Sequence, residues 1–286
     1  MIPLLLLLSA SANPTAPTPA QQAWTILKAG VADKGAVRRG KAVHALGLIR
    51  DHQAQAMAES ALNDPDKEVR SEAATSLGRM GAATARAKLR ACLNDKEVLV
   101  VLACTNSLYT LKDPIAYEVY YALLTQQRKS SEGLLQSQLD TLRDRKQLEQ
   151  LAFETGIGFV PYGGMAWQAI KTVTHDDASP VRALAAERLA SDPDPKSATA
   201  LTDYLTDKKT RVREAVIEAI AKRGDKTLLK ALVGLLDEET DSVRYEAAGA
   251  VISLSNTPAR SHGAGKREQK SDTWLLLKRV QFPRKN

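Results

Sequence analysis

Few residues in this chain have the type and spacing that catalysis or metal binding requires. None of its four histidines forms the two-ligand helical spacing of a zinc or iron site. The run His175-Asp176-Asp177 could perform acid–base or metal chemistry. A solvated turn is the favoured interpretation, because Asp176 also belongs to a repeat pattern described below. Serine hydrolase signatures of the G-x-S-x-G type are missing. We therefore predict that the protein is not an enzyme and that it has no catalytic, cofactor or metal site.

The stretch GIGFVPYGG, residues 156–164, resembles a phosphate-binding loop at first sight. A dinucleotide loop would have its third glycine where this chain has Pro161, and a Walker loop would need a Gly-Lys-Ser/Thr sequence. The stretch is also too short to cross a membrane. We predict a structural loop in which Phe159 and Tyr162 cover the end of a helix stack. An exposed apolar docking loop and a small-molecule site are the alternatives.

The two cysteines, Cys92 and Cys104, flank a predicted loop between neighbouring helices. Cys104 falls on a small-residue core position, so buried free thiols are the expectation. A disulfide is the alternative if the protein is exported. A pair of cysteines alone is a poor metal site.

A repeat with a period of 31 residues runs through the chain. Val-Arg pairs begin at positions 181, 212 and 243, and the segment that begins at Val69 aligns with segments 31 residues before and after it. This gives six copies in two sets of three. Within a copy the apolar residues follow the spacing of Val212, Val216 and Ile220, which is one face of an α-helix, and a second apolar stripe precedes it. Each copy therefore predicts two short antiparallel helices.

Polar residues stand just before the valine in the second set of copies. Ser179, Thr210 and Asp241 occupy this place, and Ser179 is followed by Pro180. A side-chain oxygen there can accept from the free amides of a helix N-terminus, and proline suits the first turn. We predict that these residues cap the second helices.

A carboxylate and a guanidinium recur at fixed places in the copies. The arginine directly follows the valine position, and the acid stands five positions before the valine. Neighbouring copies can therefore form charge-assisted hydrogen bonds. We predict a structural ladder, with a row of anion-binding arginines as the alternative. The third copy departs from the pattern, with Val101 in place of arginine. The acids are Asp33, Asp64, Asp95, Asp176, Asp207 and Glu238, and the arginines are Arg39, Arg70, Arg182, Arg213 and Arg244.

The acid–valine–arginine pattern occurs together with three alanine pairs, at 73–74, 185–186 and 247–248. In these features the chain resembles the HEAT-repeat superfamily, in particular its short-repeat, phycobilin-lyase-like members. The resemblance implies an all-α, right-handed solenoid with an extended surface for a macromolecular partner. It also implies an alternative, a lyase-like or chaperone-like protein that handles a small cofactor such as a tetrapyrrole. The HEAT-like deoxyhypusine hydroxylases rely on repeated His-Glu pairs, and no histidine here precedes a glutamate.

The repeat pattern divides the chain into segments. From Val100 to Val181 the distance is not a multiple of the period, which predicts a helical insertion in the solenoid. The predicted segments are a signal peptide at 1–12, a Pro/Thr/Ala-rich linker at 13–23, repeats 1–3 at 24–124, the insertion at 125–175, repeats 4–6 at 176–255 and a basic, disordered tail at 256–286.

The net charge of +7 is concentrated at the C-terminus, because eight basic residues and two acids lie from Asn256 onward. The repeat body is near neutral, so a nucleic-acid partner is not expected. Weak contact of the tail with an anionic surface is a hypothesis. No stretch has the roughly 18 uninterrupted apolar residues of a membrane-spanning helix.

The apolar run from Ile2 to Leu8 and the small residues Ala10-Ser11-Ala12 are typical of a signal peptide, so we expect export from a bacterial-type cell, with a cytoplasmic location as the alternative.

The expected function is a non-enzymatic scaffold that binds a protein partner of unknown identity. Aromatic residues are scarce, and Tyr117, Tyr120 and Tyr121 lie together on a predicted second helix. Because tyrosine is enriched at interface hot spots, these three are candidate partner-binding residues.

Overall fold

The computed structural model describes residues 16–125 and 178–257. Every regular element within these ranges is helical, as the sequence predicts. The insertion at 125–175, its glycine-rich loop and Asp176 lie almost wholly outside the described residues. The α-helices are α1 Pro19–Val31, α2 Ala36–Leu46, α3 His52–Ala61, α4 Lys67–Met80, α5 Arg86–Cys92, α6 Val98–Thr110, α7 Pro114–Thr125, α8 Ser179–Leu189, α9 Pro195–Asp203, α10 Thr210–Arg223, α11 Leu229–Val233 and α12 Asp241–Asn256.

The helices form two rows. The even-numbered helices carry the recurrent valine positions and constitute the second-helix row; the odd-numbered helices constitute the first-helix row. Each first helix packs against second helices, and neighbouring second helices pack against one another. Val69, Val212 and Val243 are buried between them. No helix pair could bury its apolar side alone, so stacking stabilises the array, and the fold is an all-α solenoid.

The two sets of copies are joined in an order that differs from the sequence. The last helix, α12, packs against α1 and α2 at the start of the chain. In space the second helices therefore run α8, α10, α12, α2, α4, α6, and the second set of copies precedes the first. We call the contact of α12 with α1 and α2 the junction. Val181, on α8, is 42% exposed, because this helix has a described second-helix neighbour on one side only.

Within the first set, one arginine contact repeats from copy to copy. Arg70 donates through Nε and Nη2 to both oxygens of Asp95, at 2.7 and 2.9 Å, and through Nη1 to the carbonyl of Asp64 at 2.9 Å. Asp95 Oδ1 also accepts from the amide of Glu97 at 2.9 Å. One arginine thus closes its own interhelical turn and binds the acid of the next copy. Arg39 makes the same contacts with Asp64.

The second set repeats the contact less regularly. Arg182 donates to Asp207, and Arg213 Nη2 lies 3.4 Å from Glu238 Oε1. Arg244, the last of the series, instead donates to Asp241 on its own helix. The ladder therefore ends at the junction.

Close backbone packing replaces the ladder at the junction. A Cβ added to Gly249 on α12 would lie 2.5 Å from the carbonyl oxygen of Ala45 on α2. A Cβ on Gly30 of α1 would lie 2.7 Å from Cε1 of Tyr245, whose ring is buried there. Only glycine at these two positions allows the helices to approach so closely.

Two predictions from the sequence are wrong. Ser179, Thr210 and Asp241 are the first residues inside their helices, and the residues before them make no side-chain capping bond. In the fifth copy the ladder acid bonds an amide just before the helix instead: Asp207 Oδ1 accepts from the amide at position 209, at 2.8 Å. Cys92 and Cys104 form a disulfide between α5 and α6 rather than free thiols. Their Cα atoms are 6.2 Å apart, a normal separation for this bond.

Candidate functional site

The second-helix row lines a cleft of about 460 Å³, which lies mainly along α8 and α10 and reaches the junction at α12 and α2. Four second helices contribute to it: α2, α8, α10 and α12. Its wall is formed by small and apolar side chains and its rim by charged ones. The lining residues are Lys41, His44, Pro180, Ala183, Leu184, Glu187, Ala190, Arg211, Glu214, Ala215, Glu218, Ala219, Lys222, Ser242 and Glu246.

An ion pair shows that the row is strongly curved. Arg79 Nη2, on α4, lies 2.8 Å from Glu218 Oε1, on α10, although α12 and α2 stand between these helices in the row. Side chains three places apart can meet only if the second helices lie on the inside of the curve. The cleft therefore occupies the concave face.

His44 on α2 links the charges at the base of the cleft. Its Nδ1 lies 2.7 Å from Glu72 Oε2, and its Nε2 lies 2.7 Å from Arg79 Nη1. A guanidinium can only donate, so this contact requires a neutral ring whose Nε2 accepts and whose Nδ1 donates to Glu72. Burial opposes protonation of His44, but the hydrogen bond with Glu72 and the charge of Glu246 outweigh it and raise its pKa. Protonation would cost the contact with Arg79.

Glu246 on α12 is the acid without a partner in this cluster. It is 5% exposed, and its Oε2 has no hydrogen-bond partner among residues 16–125 and 178–257. Its Oε1 lies 3.4 Å from Nε2 of His44, which carries no proton while Arg79 donates to it. Burial raises the pKa of Glu246, the nearby Glu218 and Glu214 raise it further, and His44 and Arg79 act in the opposite direction.

The ladder residues occupy a different part of the molecule. Arg39 and Arg70 each use three guanidinium nitrogens on a neighbouring acid and on carbonyls of their own turn. The contact from Arg39 lowers the pKa of Asp64. For Asp95, burial acts to raise the pKa, but the hydrogen bonds from Arg70 and the Glu97 amide prevail and lower it. These groups hold repeats together.

The candidate tyrosines do not lie on a second helix. They lie on α7, which packs against α6 from the first-helix row, so they are not on the concave face. Tyr117 and Tyr121 are 56% and 59% exposed, whereas Tyr120 is half-buried. The ring of Tyr109 packs edge-on against Tyr117 and Tyr120, with centroids 5.5 and 5.9 Å away. The prediction that they lie on a second helix is wrong, because α7 follows the second helix α6 and takes the place of the next first helix.

Sequence reasoning missed the charged cluster around Glu246. His44, Glu72, Arg79, Glu218 and Glu246 come from four helices in both sets of copies. One signal was present: Glu246 stands three residues after its repeat valine, where copies 4 and 5 carry Leu184 and Ala215. Copies 1 and 2 carry Lys41 and Glu72 at this position, so the change to a charge stands out only within the second set of copies. The partners of that charge depend on the junction, which the period does not reveal.

The profile described as HEAT repeats matches residues 26–119 and 168–252, more than half of the chain. The chain belongs to the HEAT-repeat family. No curated protein sequence matches it. Within the described ranges, no helix is both long and apolar enough to cross a bilayer, and no group of three or more histidine, cysteine, aspartate or glutamate side chains is arranged to hold a metal ion.

Three solved structures are similar to this chain. The complex of CpcE and CpcF of phycocyanin lyase from Nostoc sp. PCC7120 has 18% identity and a TM-score of 0.33, covering 87% of this chain and 100% of that one. Human deoxyhypusine hydroxylase has 18% identity and a TM-score of 0.32, covering 84% and 86%. An engineered protein has 15% identity and a TM-score of 0.27, covering 82% and 96%.

Proposed function

We propose that this chain is a non-catalytic scaffold that binds a protein partner along the concave second-helix row. The observation that carries the proposal is the continuity of this row across the junction. It turns two sets of three repeats into one curved surface with a cleft that helices of both sets line. Solenoids of stacked helix pairs use extended concave surfaces of this kind for binding.

The paired charges of the cleft support a binding role. Arg79 lies against Glu218, and His44 bonds Glu72, so these side chains hold one another in fixed positions. Rigid polar groups beside apolar side chains favour selective recognition of a partner surface. The exposed lysines of the rim, Lys41 and Lys222, add charge where a partner would first make contact.

We propose further that the protein works in an oxidising compartment after export. The apolar run from Ile2 to Leu8 supports this, and so does the disulfide between Cys92 and Cys104, since such bonds persist outside the reducing cytosol. Fractionation of cells that express the full chain, with the N-terminal sequence of the mature protein, tests it. An uncleaved chain with reduced thiols in the cytoplasm contradicts it.

Site-specific photo-crosslinking tests the scaffold proposal. A photoreactive amino acid at Lys41 or Lys222 on the concave face is expected to capture the same partner. The matched control is Gln53, an exposed residue of α3 in the first-helix row, where no capture is expected. Capture from Gln53 but from neither concave position would overturn the proposal. Turnover of a small molecule by the purified chain would overturn its non-catalytic part.

A further inference from the structure

The base of the cleft holds one carboxylate more than its own cations can neutralise. Arg79 forms an ion pair with Glu218, although its Nη2 makes no hydrogen bond within the described ranges, and His44 gives its Nδ1 proton to Glu72. Glu246 remains, almost fully buried, with an oxygen that lacks a hydrogen bond within the described ranges. If His44 takes up a second proton, Nε2 faces Oε1 of Glu246, but Oε2 still has no partner. An unpaired buried carboxylate destabilises the free protein, which indicates that it is kept for a ligand.

The surroundings of Glu246 define the charge of that ligand. Glu187, Glu214 and Glu218 line the cleft together with Glu246, against three lining cations, Lys41, Arg211 and Lys222. An anion beside Glu246 would therefore meet an excess of carboxylates. A neutral donor would provide a hydrogen bond but would leave the negative charge uncompensated. A cation provides both, and a charge-assisted hydrogen bond to a buried carboxylate is among the strongest available.

The wall of the cleft defines the shape of the ligand. Ala183 and Leu184 on α8 and Ala215 and Ala219 on α10 present an apolar surface next to the acidic base. A ligand with several methylenes and a terminal charge fits such a surface, because its stem packs on the wall while its head reaches the carboxylate. Lysine and arginine side chains have this construction.

We propose that the cleft receives a basic side chain of the partner protein, lysine or arginine, whose charged head donates to Oε2 of Glu246. This anchor rests on the proposed function and specifies what the concave face recognises. Glu246 supplies the charge, and the alanine and leucine wall supplies selectivity for a long unbranched stem. The rim glutamates add attraction at longer range.

Short peptides test the anchor on the full-length chain. The probes are acetyl-Ala-Lys-Ala-amide, its arginine counterpart and its norleucine counterpart, which keeps the stem but lacks the charge. Methyl NMR of labelled alanines reports binding at Ala183, Ala215 and Ala219. We expect the lysine or arginine peptide, or both, to shift these methyls, and the norleucine peptide to leave them unchanged.

Two matched variants complete the test. Glu246→Gln removes the charge with little change of shape and is expected to weaken binding of the basic peptides by about 30-fold. Glu239→Gln makes the same chemical change in the exposed turn before α12, outside the cleft, and is expected to change affinity by less than about twofold. Circular dichroism of both variants checks that they are folded. The norleucine comparison needs no variant and tests the anchor independently.

Three results would overturn the anchor: equal binding of the norleucine peptide, unchanged affinity after Glu246→Gln, or binding seen only once residues 258–286 are removed. The last result would make the basic tail of the chain itself the occupant. If crosslinking places a partner on the concave face while Glu246→Gln has no effect, the scaffold stands and the anchor fails. Crosslinking confined to the first-helix row, with no methyl shifts, removes both.

Discussion

The regular steps of the solenoid and the junction solve the same packing problem in different ways. Where one second helix packs on the next, as α4 does on α6, Arg70 fixes the register with two hydrogen bonds to Asp95 and two to carbonyls of its own turn. At the junction the last ladder arginine binds its own helix, and Gly249 instead allows α12 to touch the backbone of α2. Within each set of copies, a recurring polar contact thus fixes how one repeat packs on the next. Between the two sets, close backbone packing takes its place.

The comparison also separates structural charges from candidate functional ones. The ladder acids Asp64 and Asp95 have lowered pKa values, and an arginine donates to each of them. Glu246, at the junction, has a raised pKa because it is buried without a sufficient partner. The ion pairs of Asp64 and Asp95 are complete and hold repeats together, whereas the buried carboxylate that lacks a hydrogen bond lies in the cleft. The candidate site reaches the junction because its charged cluster needs helices from both sets.

The largest expected effect comes from breaking a regular step. Arg70→Ala leaves Asp95 buried without its cation and opens the turn at Asp64, so we expect the free energy of unfolding in urea to fall by about 4 kcal/mol. Arg38→Ala is the matched change at the junction, where the guanidinium bonds Asp241 but its side chain is 58% exposed, and it should have little effect. An equal loss of unfolding free energy in the two variants would contradict the difference between the regular repeat contacts and the junction.

The disulfide lies in the third copy, away from the junction, and gives the next effect. Replacing both Cys92 and Cys104 by alanine removes a cross-link that closes a short loop, and should lower the free energy of unfolding by about 3 kcal/mol. The parent chain in reductant should match the double variant. An unchanged urea midpoint in reductant would show that the bond contributes nothing to stability.

A single added methyl group tests how closely the helices pack at the junction. Gly249→Ala places a Cβ against the carbonyl of Ala45, which should cost about 2 kcal/mol and separate the unfolding of the two sets of copies. Gly40→Ala is the control, since its Cβ would lie 3.9 Å from the nearest atom, Cγ2 of Val69. There alanine should be neutral or stabilising through its helix propensity. A single cooperative transition of unchanged midpoint in Gly249→Ala would contradict close packing at the junction.

The smallest effect is a difference in the sign of pH dependence. A raised pKa means that the folded protein favours protonated Glu246, so its contribution to stability is lost as pH rises from about 4.5. Glu246→Gln should therefore be more stable than the parent chain at pH 7, with the difference closing toward pH 4. Asp64 has a lowered pKa, so Asp64→Asn should be less stable at pH 7, with its deficit shrinking below about pH 4. Urea unfolding at several pH values checks both, and a Glu246→Gln variant less stable at pH 7 would contradict the assignment.

The repeats were predictable because their information is local. The spacing of Val212, Val216 and Ile220 predicts a helix face, and these residues are buried in the structure. The 31-residue period brings Arg70 and Asp95 to adjacent turns through stacking of neighbours alone. Helix starts were less accurate, since Thr210 is the first helical residue and not the cap. The difference of one residue arises because the ladder acid already bonds a backbone amide of the turn.

The sequence by itself determined helix pairs, their period and the residues that face the core, since each depends on contacts between nearby copies. Only the tertiary structure decided that α12 packs on α1 and α2, that the tyrosines of α7 lie off the concave face, and that Glu246 meets His44. Periodicity specifies how one repeat packs on the next but not which free ends meet. That choice depends on the fit of particular surfaces, here two glycines against a carbonyl and a tyrosine ring.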